Sequence, residues 1–247
     1  MRYQSLDSLR GCAIALMILF HFSFDLNHFQ LLSLDFYHDP FWLVARALIV
    51  TLFLLLVGVS LELSARRGLA SSAFRRAYGR RLVWLLLCAA LVSISSYLMS
   101  PSRWIYFGIL HFIIIASLLG LLFVGRPRIS LWLGLTLILP GLFVSFPLFD
   151  HPALQWLGLM THKPQTEDYV PLLPWFGVVL MGVSIGAYWF NDTMPVLLQR
   201  FEKGRRDGKQ GRMLVVLGWA GRHSLLIYML HQPILFGMLA IITGRAL

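Results

Sequence analysis

The sequence predicts an all-α, polytopic transmembrane helix bundle of about seven spans. Three observations carry this: the apolar content, the recurrence of apolar runs of spanning length, and the one-sided placement of the cations. Of the 247 residues, 58% are hydrophobic and 13% charged, and the mean hydropathy is +0.73, far above the composition of soluble domains. A soluble core of this size has no room for so much apolar surface. Seven runs approach the ~20 residues that cross a hydrocarbon layer: Gly11 to Phe29, Phe41 to Leu63, Leu82 to Met99, Trp104 to Val124, Ile129 to Phe149, Val170 to Phe190, and His223 to Thr243. The first follows only Arg2 and Arg10, contains His21 and Asp25, and has no small-residue cleavage signal behind it. It therefore reads as a retained span rather than a signal peptide.

The basic residues orient the bundle. If the N-terminus is cytoplasmic, one side holds Arg2, Arg10, Arg66, Arg67, Arg75, Arg76, Arg80, Arg81, Arg126, Arg128, Arg200, Lys203, Arg205, Arg206, Lys209 and Arg212. Only Arg46, Arg103, Lys163 and Arg245 fall on the other side, with Arg222 at the start of the last span. Cytoplasmic loops carry the excess of Lys and Arg, so the expectation is N-terminus in and C-terminus out. The formal charge of +10 is then largely a topology signal, and it calls for no nucleic-acid partner.

Residues 1–247 read as a single transmembrane domain, with no internal repeat, low-complexity stretch or soluble appendage. Ser64 to Arg81 is expected to form a short surface helix, and Met213 to Gly221 to lie at the inner interface or extend the last helix. The outer connections are polar and mildly acidic, with Asp35, His38, Asp39, Asp150, His151, His162, Glu167 and Asp168. The sequon Asn191-Asp192-Thr193 falls on the inner side and is read as a chance match. Cys12 and Cys88 sit in apolar runs as small buried hydrophobes, with no disulfide expected.

Titratable residues inside spans cost several kcal/mol unless they face a partner or a cavity, and three spans carry them. In the first, His21, Asp25 and His28 share one face at i, i+4, i+7, with Arg10 about three turns earlier on nearly the same stripe and Asp7 a turn before that. His111 lies about 10 Å into the fourth span, one turn after Gly108. Ser224, Tyr228 and His231 share a face of the last span, with Pro233 expected to kink the helix just beyond. A lone transmembrane histidine ordinarily serves as an interhelical hydrogen-bond partner. Three at matching depth, one with a carboxylate a turn away, point to a functional site in a shared chamber. No metal is expected, because only the His21, Asp25, His28 stripe has ligand-like spacing and it reads equally as a proton relay. Trp42, Trp84, Trp104, Trp132 and Trp189 fit an interfacial belt, from which Trp175 stands apart.

The opening Leu6-Asp7-Ser8-Leu9-Arg10-Gly11-Cys12-Ala13, followed by His21, resembles the first-helix signature of the transmembrane acyltransferase superfamily. Gly58-Val59-Ser60-Leu61, Phe107-Gly108-Ile109-Leu110-His111, Asp168 to Gly177 and Ser224 to Pro233 resemble bacterial members of the heparan-alpha-glucosaminide N-acetyltransferase catalytic-domain family. These matches cover almost the whole chain in order. The resemblance implies transfer of an acetyl group from cytoplasmic acetyl-CoA to an amine or hydroxyl of a glycan, amino sugar or glycolipid at the outer face, in a bacterial inner membrane. The lysosomal enzyme that names the family has more spans and a luminal domain, neither of which is read in these 247 residues.

Residues and resemblance together suggest roles. His21, His111 and His231 are candidate bases or acyl carriers, which sequence does not rank, with Asp25 orienting His21 and stabilising its charged form. Asp7, Arg10, Arg80 and Arg81 are candidates for holding the coenzyme A phosphates, along with the other arginines from Arg66 onward. Ser224 and Tyr228 would donate to the developing oxyanion. Asp168, Tyr169 and Trp175 suit a sugar-like acceptor. For Asp7 and Arg10 the competing reading is a structural ion pair at the helix start. The rival function is a proton-coupled transporter or flippase, since buried Asp and His also mark ion paths, although paired interrupted spans in two halves are not seen. A structural subunit of a larger membrane assembly is the third reading. Lipid is the surrounding partner, and a homo-oligomer is compatible with the sequence.

Overall fold

The computed structural model describes residues 3–66, 68–189 and 209–244. Eight α-helices run through them: α1 (Gln4–His28), α2 (Pro40–Ala65), α3 (Ser72–Met99), α4 (Ile109–Gly120), α5 (Pro127–Phe143), α6 (Leu172–Trp189), α7 (Lys209–Arg222) and α8 (Ser224–Thr243). No strand occurs among the described residues, and the all-helical expectation holds. Helices α1, α2, α3, α6 and α8 are long and apolar enough to cross a membrane, whereas α4 with its 3-10 extension and α5 are shorter apolar helices. Each expected run thus has its helix, but five rather than seven reach spanning length.

The shorter helices have local causes. The fourth run was expected to be helical from Trp104, yet α4 starts at Ile109, because Pro101–Arg103 forms a 3-10 turn and Gly108 is extended (φ −91°, ψ −173°). The fifth was expected to reach Phe149, but α5 stops at Phe143. Phe146 precedes Pro147, which disfavours the α conformation, and its N–H turns to the Leu159 carbonyl at 2.8 Å. In α6 the same restriction holds Leu173 extended before Pro174 (φ −102°, ψ 132°).

Two other expectations are corrected. No separate surface helix covers Ser64 to Arg81: α2 continues to Ala65, and Ser71 caps α3 by accepting from the Phe74 N–H at 3.1 Å. Arg75, Arg76, Arg80 and Arg81 are therefore the opening turns of α3. Met213 to Gly221 does not extend the last helix but belongs to a helix of its own, α7, which breaks from α8 at His223. Helix α8 runs on through Pro233. Arg2, Arg67, Phe190, Asn191, Asp192, Thr193, Arg200, Lys203, Arg205, Arg206 and Arg245 lie outside the described residues, as does the side chain of Lys209.

The chain divides into two compact units, Met1–Phe53 with Met194–Leu247, and Leu54–Thr193, the boundary falling within α2. In the first unit α1 packs against α7 and α8. Helices in lipid associate through close backbone packing rather than apolar burial, and glycine permits it here. A Cβ on Gly11 would overlap the Leu217 carbonyl oxygen, and one on Gly221 the Asp7 carbonyl oxygen. Ser8 Oγ donates to the Leu214 carbonyl at 3.3 Å across the same seam. After α1, the Asn27 side chain accepts from the Leu34 N–H at 2.7 Å, turning the chain so that Phe36 meets Phe20, Phe24 and Trp42.

In the second unit α6 is the central helix, with Val179, Leu180 and Val183 fully buried. Its backbone meets α2 where Gly182 faces the Leu55 carbonyl, and α5 where Gly134 and Gly177 face each other's carbonyls. Glu62, 3% exposed, pairs with Arg66 at 3.6 Å and accepts from the Gly125 N–H at 3.0 Å. Arg66 Nη2 donates to the Gly186 and Ala187 carbonyls, both at 2.9 Å, near the end of α6. A guanidinium there satisfies carbonyls left over near the helix end and complements the helix dipole. This local role separates Arg66 from the cations further along the chain.

Gly11→Val should destabilise the protein by roughly 3 kcal/mol, since the obstructing atom is backbone and cannot rotate away. Gly237→Ala, where an added Cβ meets nothing within 4 Å, should leave the thermal unfolding midpoint in detergent nearly unchanged.

Candidate active site

The first unit brings two of the expected imidazoles together. His231, 9% exposed on α8, places Nε2 at 3.2 Å from Nδ1 of His21 on α1, with ring centroids 4.9 Å apart. Each Nδ1 also faces a carbonyl of its own helix. His21 Nδ1 is 3.0 Å from the Met17 oxygen, and His231 Nδ1 is 2.7 Å from the Tyr228 oxygen. A carbonyl only accepts, so both Nδ1 atoms carry hydrogen. His231 Nε2 is then a lone pair that shares the His21 Nδ1 hydrogen with Met17, a three-centre bond of an ordinary kind. The Nε2 lone pair of His21 has no hydrogen-bond partner among the described residues.

Asp25 lies one turn beyond His21 and is 1% exposed. It was expected to orient His21. Instead its Oδ1 accepts from Gln232 Nε2 at 2.7 Å, and the His21 ring is held by Met17 and His231. The reason is reach: His21 Nδ1 is taken by its own helix and by α8, which leaves the Asp25 carboxyl to the neighbouring amide on α8. His28, the third member of the stripe, is exposed, its ring 5.2 Å from that of Phe236. Gln232 was missed as a site residue. Its signal was present, as an amide beside His231 inside an apolar run.

Nearer the start of α1, Arg10 Nη1 donates to Asp7 Oδ1 at 3.2 Å, so the ion pair considered for the helix start is formed. Tyr228 stands with its ring 5.8 Å from that of His231, and Ser224 is part-buried a turn earlier on α8.

His111 belongs to the second unit and has a different environment. Its Nδ1 accepts from the Gly108 N–H at 3.3 Å, and its Nε2 lies 3.2 Å from Ser93 Oγ, which donates to the Ile105 carbonyl at 2.6 Å. The serine hydrogen is thus spent on Ile105, so His111 Nε2 is the donor to Ser93. Both ring nitrogens are occupied in holding the start of α4. Ser93, on α3, carried no distinguishing signal in sequence.

Asp168 shares that task, since its Oδ2 accepts from the Ile109 N–H at 2.8 Å. A Cβ at Gly108 would collide with this carboxylate, which explains the glycine. Tyr169 donates to the Gln155 carbonyl at 2.5 Å, and Tyr106 to the Gln155 side chain at 2.6 Å. Burial, followed by the neighbouring Tyr106, pushes the Tyr169 hydroxyl well above the usual phenol range. It serves as a neutral donor. In the same loops Asp150 accepts from the Thr161 hydroxyl and N–H, which hold its carboxyl below the ordinary range. Trp175 is part-buried in the first turns of α6. Arg75, Arg76 and Arg80 are exposed on α3, with no ion pair among the described residues, and Arg81 is part-buried.

The family model described as heparan-alpha-glucosaminide N-acetyltransferase, catalytic, matches residues 2–233. The chain belongs to this family. The match takes in α1 and continues into α8 as far as Pro233, so the His21–His231 pair and the Asp25–Gln232 pair both lie inside it. The family is one of membrane acyltransferases. Neither the curated proteins nor the solved structures provide a match.

Asp168→Ala should lower stability by about 1 kcal/mol through loss of the α4 cap, and Asp168→Asn should retain most of it. Thermal unfolding of the three proteins in one detergent checks this.

Proposed function

We propose that the protein transfers an acetyl group from cytoplasmic acetyl-CoA to an amine or hydroxyl of a sugar-containing acceptor at the outer face, with His21 as the general base. The observation that carries this reading is the Nε2 lone pair of His21, which has no hydrogen-bond partner among the described residues and is oriented by Met17 and His231. Acetyl-CoA supplies an activated thioester carbonyl. His21 Nε2 takes the proton of the acceptor N–H or O–H as the new bond to the acetyl carbon forms. The C–S bond then breaks, and the proton passes from His21 to the departing thiolate. His231, whose Nε2 accepts from His21, fixes the tautomer that leaves Nε2 basic. A transient acetyl group on His21 is the covalent version of the same chemistry.

Tyr228 and Ser224, on the face of α8 that carries His231, are suited to donating to the oxyanion. The phosphates of the donor call for guanidinium groups. Exposed Arg80 is the chief candidate among those on α3, together with Arg81, and Arg10 with Asp7 is the candidate on α1. Asp168, Tyr169 and Trp175 are assigned to the acceptor side, although the Asp168 carboxylate is already engaged at α4. His111, occupied at both nitrogens, is assigned to supporting α4 rather than to proton transfer. The positive-inside bias supports an N-terminus in the cytoplasm.

His21→Ala should lower transfer from labelled acetyl-CoA roughly a hundred- to ten-thousand-fold while the protein still unfolds cooperatively. Full transfer by this variant would remove His21 from the role. Ion-dependent substrate flux without release of CoA would favour the transporter reading. Arg80→Ala should raise the KM for acetyl-CoA about fivefold at constant kcat, equivalent to ~1 kcal/mol for an exposed ion pair.

A further inference from the structure

The pairing of Asp25 with Gln232 leaves two atoms unaccounted for. Asp25 Oδ2 and Gln232 Oε1 are both buried and without a hydrogen-bond partner, while Gln232 Nε2 donates to Asp25 Oδ1 at 2.7 Å. Both orphans are acceptors when the carboxyl is ionised. Two buried acceptors on one contacting pair lack a single hydrogen between them.

We infer that Asp25 is a neutral carboxylic acid joined to the Gln232 amide by two hydrogen bonds, and that this pair positions α8 against α1 at the histidines. In an acid–amide pair the amide N–H donates to the acid carbonyl and the acid O–H donates to the amide oxygen. One proton on Oδ2 therefore satisfies both orphans together. The surroundings agree. No cation contacts Asp25 among the described residues, and the Nδ1 hydrogens of His21 and His231 are directed to the Met17 and Tyr228 carbonyls rather than to this carboxyl. His28 is exposed and packs on Phe236. An ionised carboxylate there would be a buried charge with one neutral donor, an arrangement that low-dielectric surroundings penalise heavily.

The pair also explains the contact between the imidazoles. Gln232 adjoins His231 and Asp25 lies one turn from His21, so a two-bond link between the first pair fixes the register in which the second meets. Asp25 is thus a positioning residue acting through Gln232. It does not supply negative charge to an imidazolium. The assignment stands apart from the acetyltransferase reading, because its test needs no activity.

The test is infrared spectroscopy of the full-length protein in lipid nanodiscs at neutral pH. Among the described residues the other buried carboxyls have cationic partners, Glu62 with Arg66 and Asp7 with Arg10. A carboxylic-acid C=O band that shifts downward in D2O is expected in the wild type and absent in Asp25→Asn. In Gln232→Leu the band should move to higher frequency, as the acid carbonyl loses its donor. Asp25→Asn should also keep the wild-type melting temperature, because two amides pair through the same two bonds, whereas Asp25→Leu should lower it. Absence of the band from the wild type, or its persistence in Asp25→Asn, overturns the inference.

Discussion

The bond from His21 Nδ1 to His231 Nε2 ties α1 to α8 deep within their apolar lengths, and much of the chemistry assigned to the first unit depends on it. In water such a contact would compete with solvent at every moment. Within an apolar bundle the competitor is absent, and each polar group must find its partner on its own helix or on a neighbour. The carbonyls of Met17 and Tyr228 settle which nitrogen carries hydrogen on each ring. The remaining lone pair is thereby assigned to a single atom. A proton acceptor defined in this way needs no reorganisation before it acts, which is the property that preorganised sites share.

The two units solve the same physical problem by similar means. Where helices must approach closely, glycine stands at the crossing, as Gly11 and Gly221 do between α1 and α7, and Gly134 and Gly177 between α5 and α6. Where helix ends leave carbonyls or N–H groups unmet, side chains from far along the chain or from the helix's own first turn meet them. Arg66 serves the end of α6, while Asp168 and His111 serve the start of α4. These residue types are those that suggest catalysis when seen in a sequence. Polar satisfaction in an apolar fold thus draws on the same side chains as catalysis, and only their partners tell the two apart.

Partnering also reorders the candidates. His111 was equal to His21 and His231 by depth and spacing, yet its nitrogens are divided between Gly108 and Ser93. Asp25 was paired with His21 by the i, i+4 rule, which locates a shared face but not the recipient of the hydrogen bond. The amide of Gln232 takes the carboxyl, because α8 delivers it there and the Nδ1 hydrogen of His21 is already shared between Met17 and His231.

The sequence by itself determined that this chain is an apolar helical protein, approximately where its helices run, and, through motifs spread from Leu6 to Pro233, its family. Such features are local: hydropathy, proline and glycine punctuation, and short motifs are readable without knowing what touches what. Helix ends were less legible where proline acts on the residue before it, as at Phe146 and Leu173, or where a cap comes from far along the chain, as Asp168 does for α4. Only the tertiary structure decided which imidazole keeps a lone pair without a partner among the described residues, what Asp25 binds and what Arg66 holds. Each of those depends on hydrogen-bond partners, several of them more than a hundred residues apart in sequence, and helical periodicity encodes the face a side chain occupies but not the atom waiting opposite.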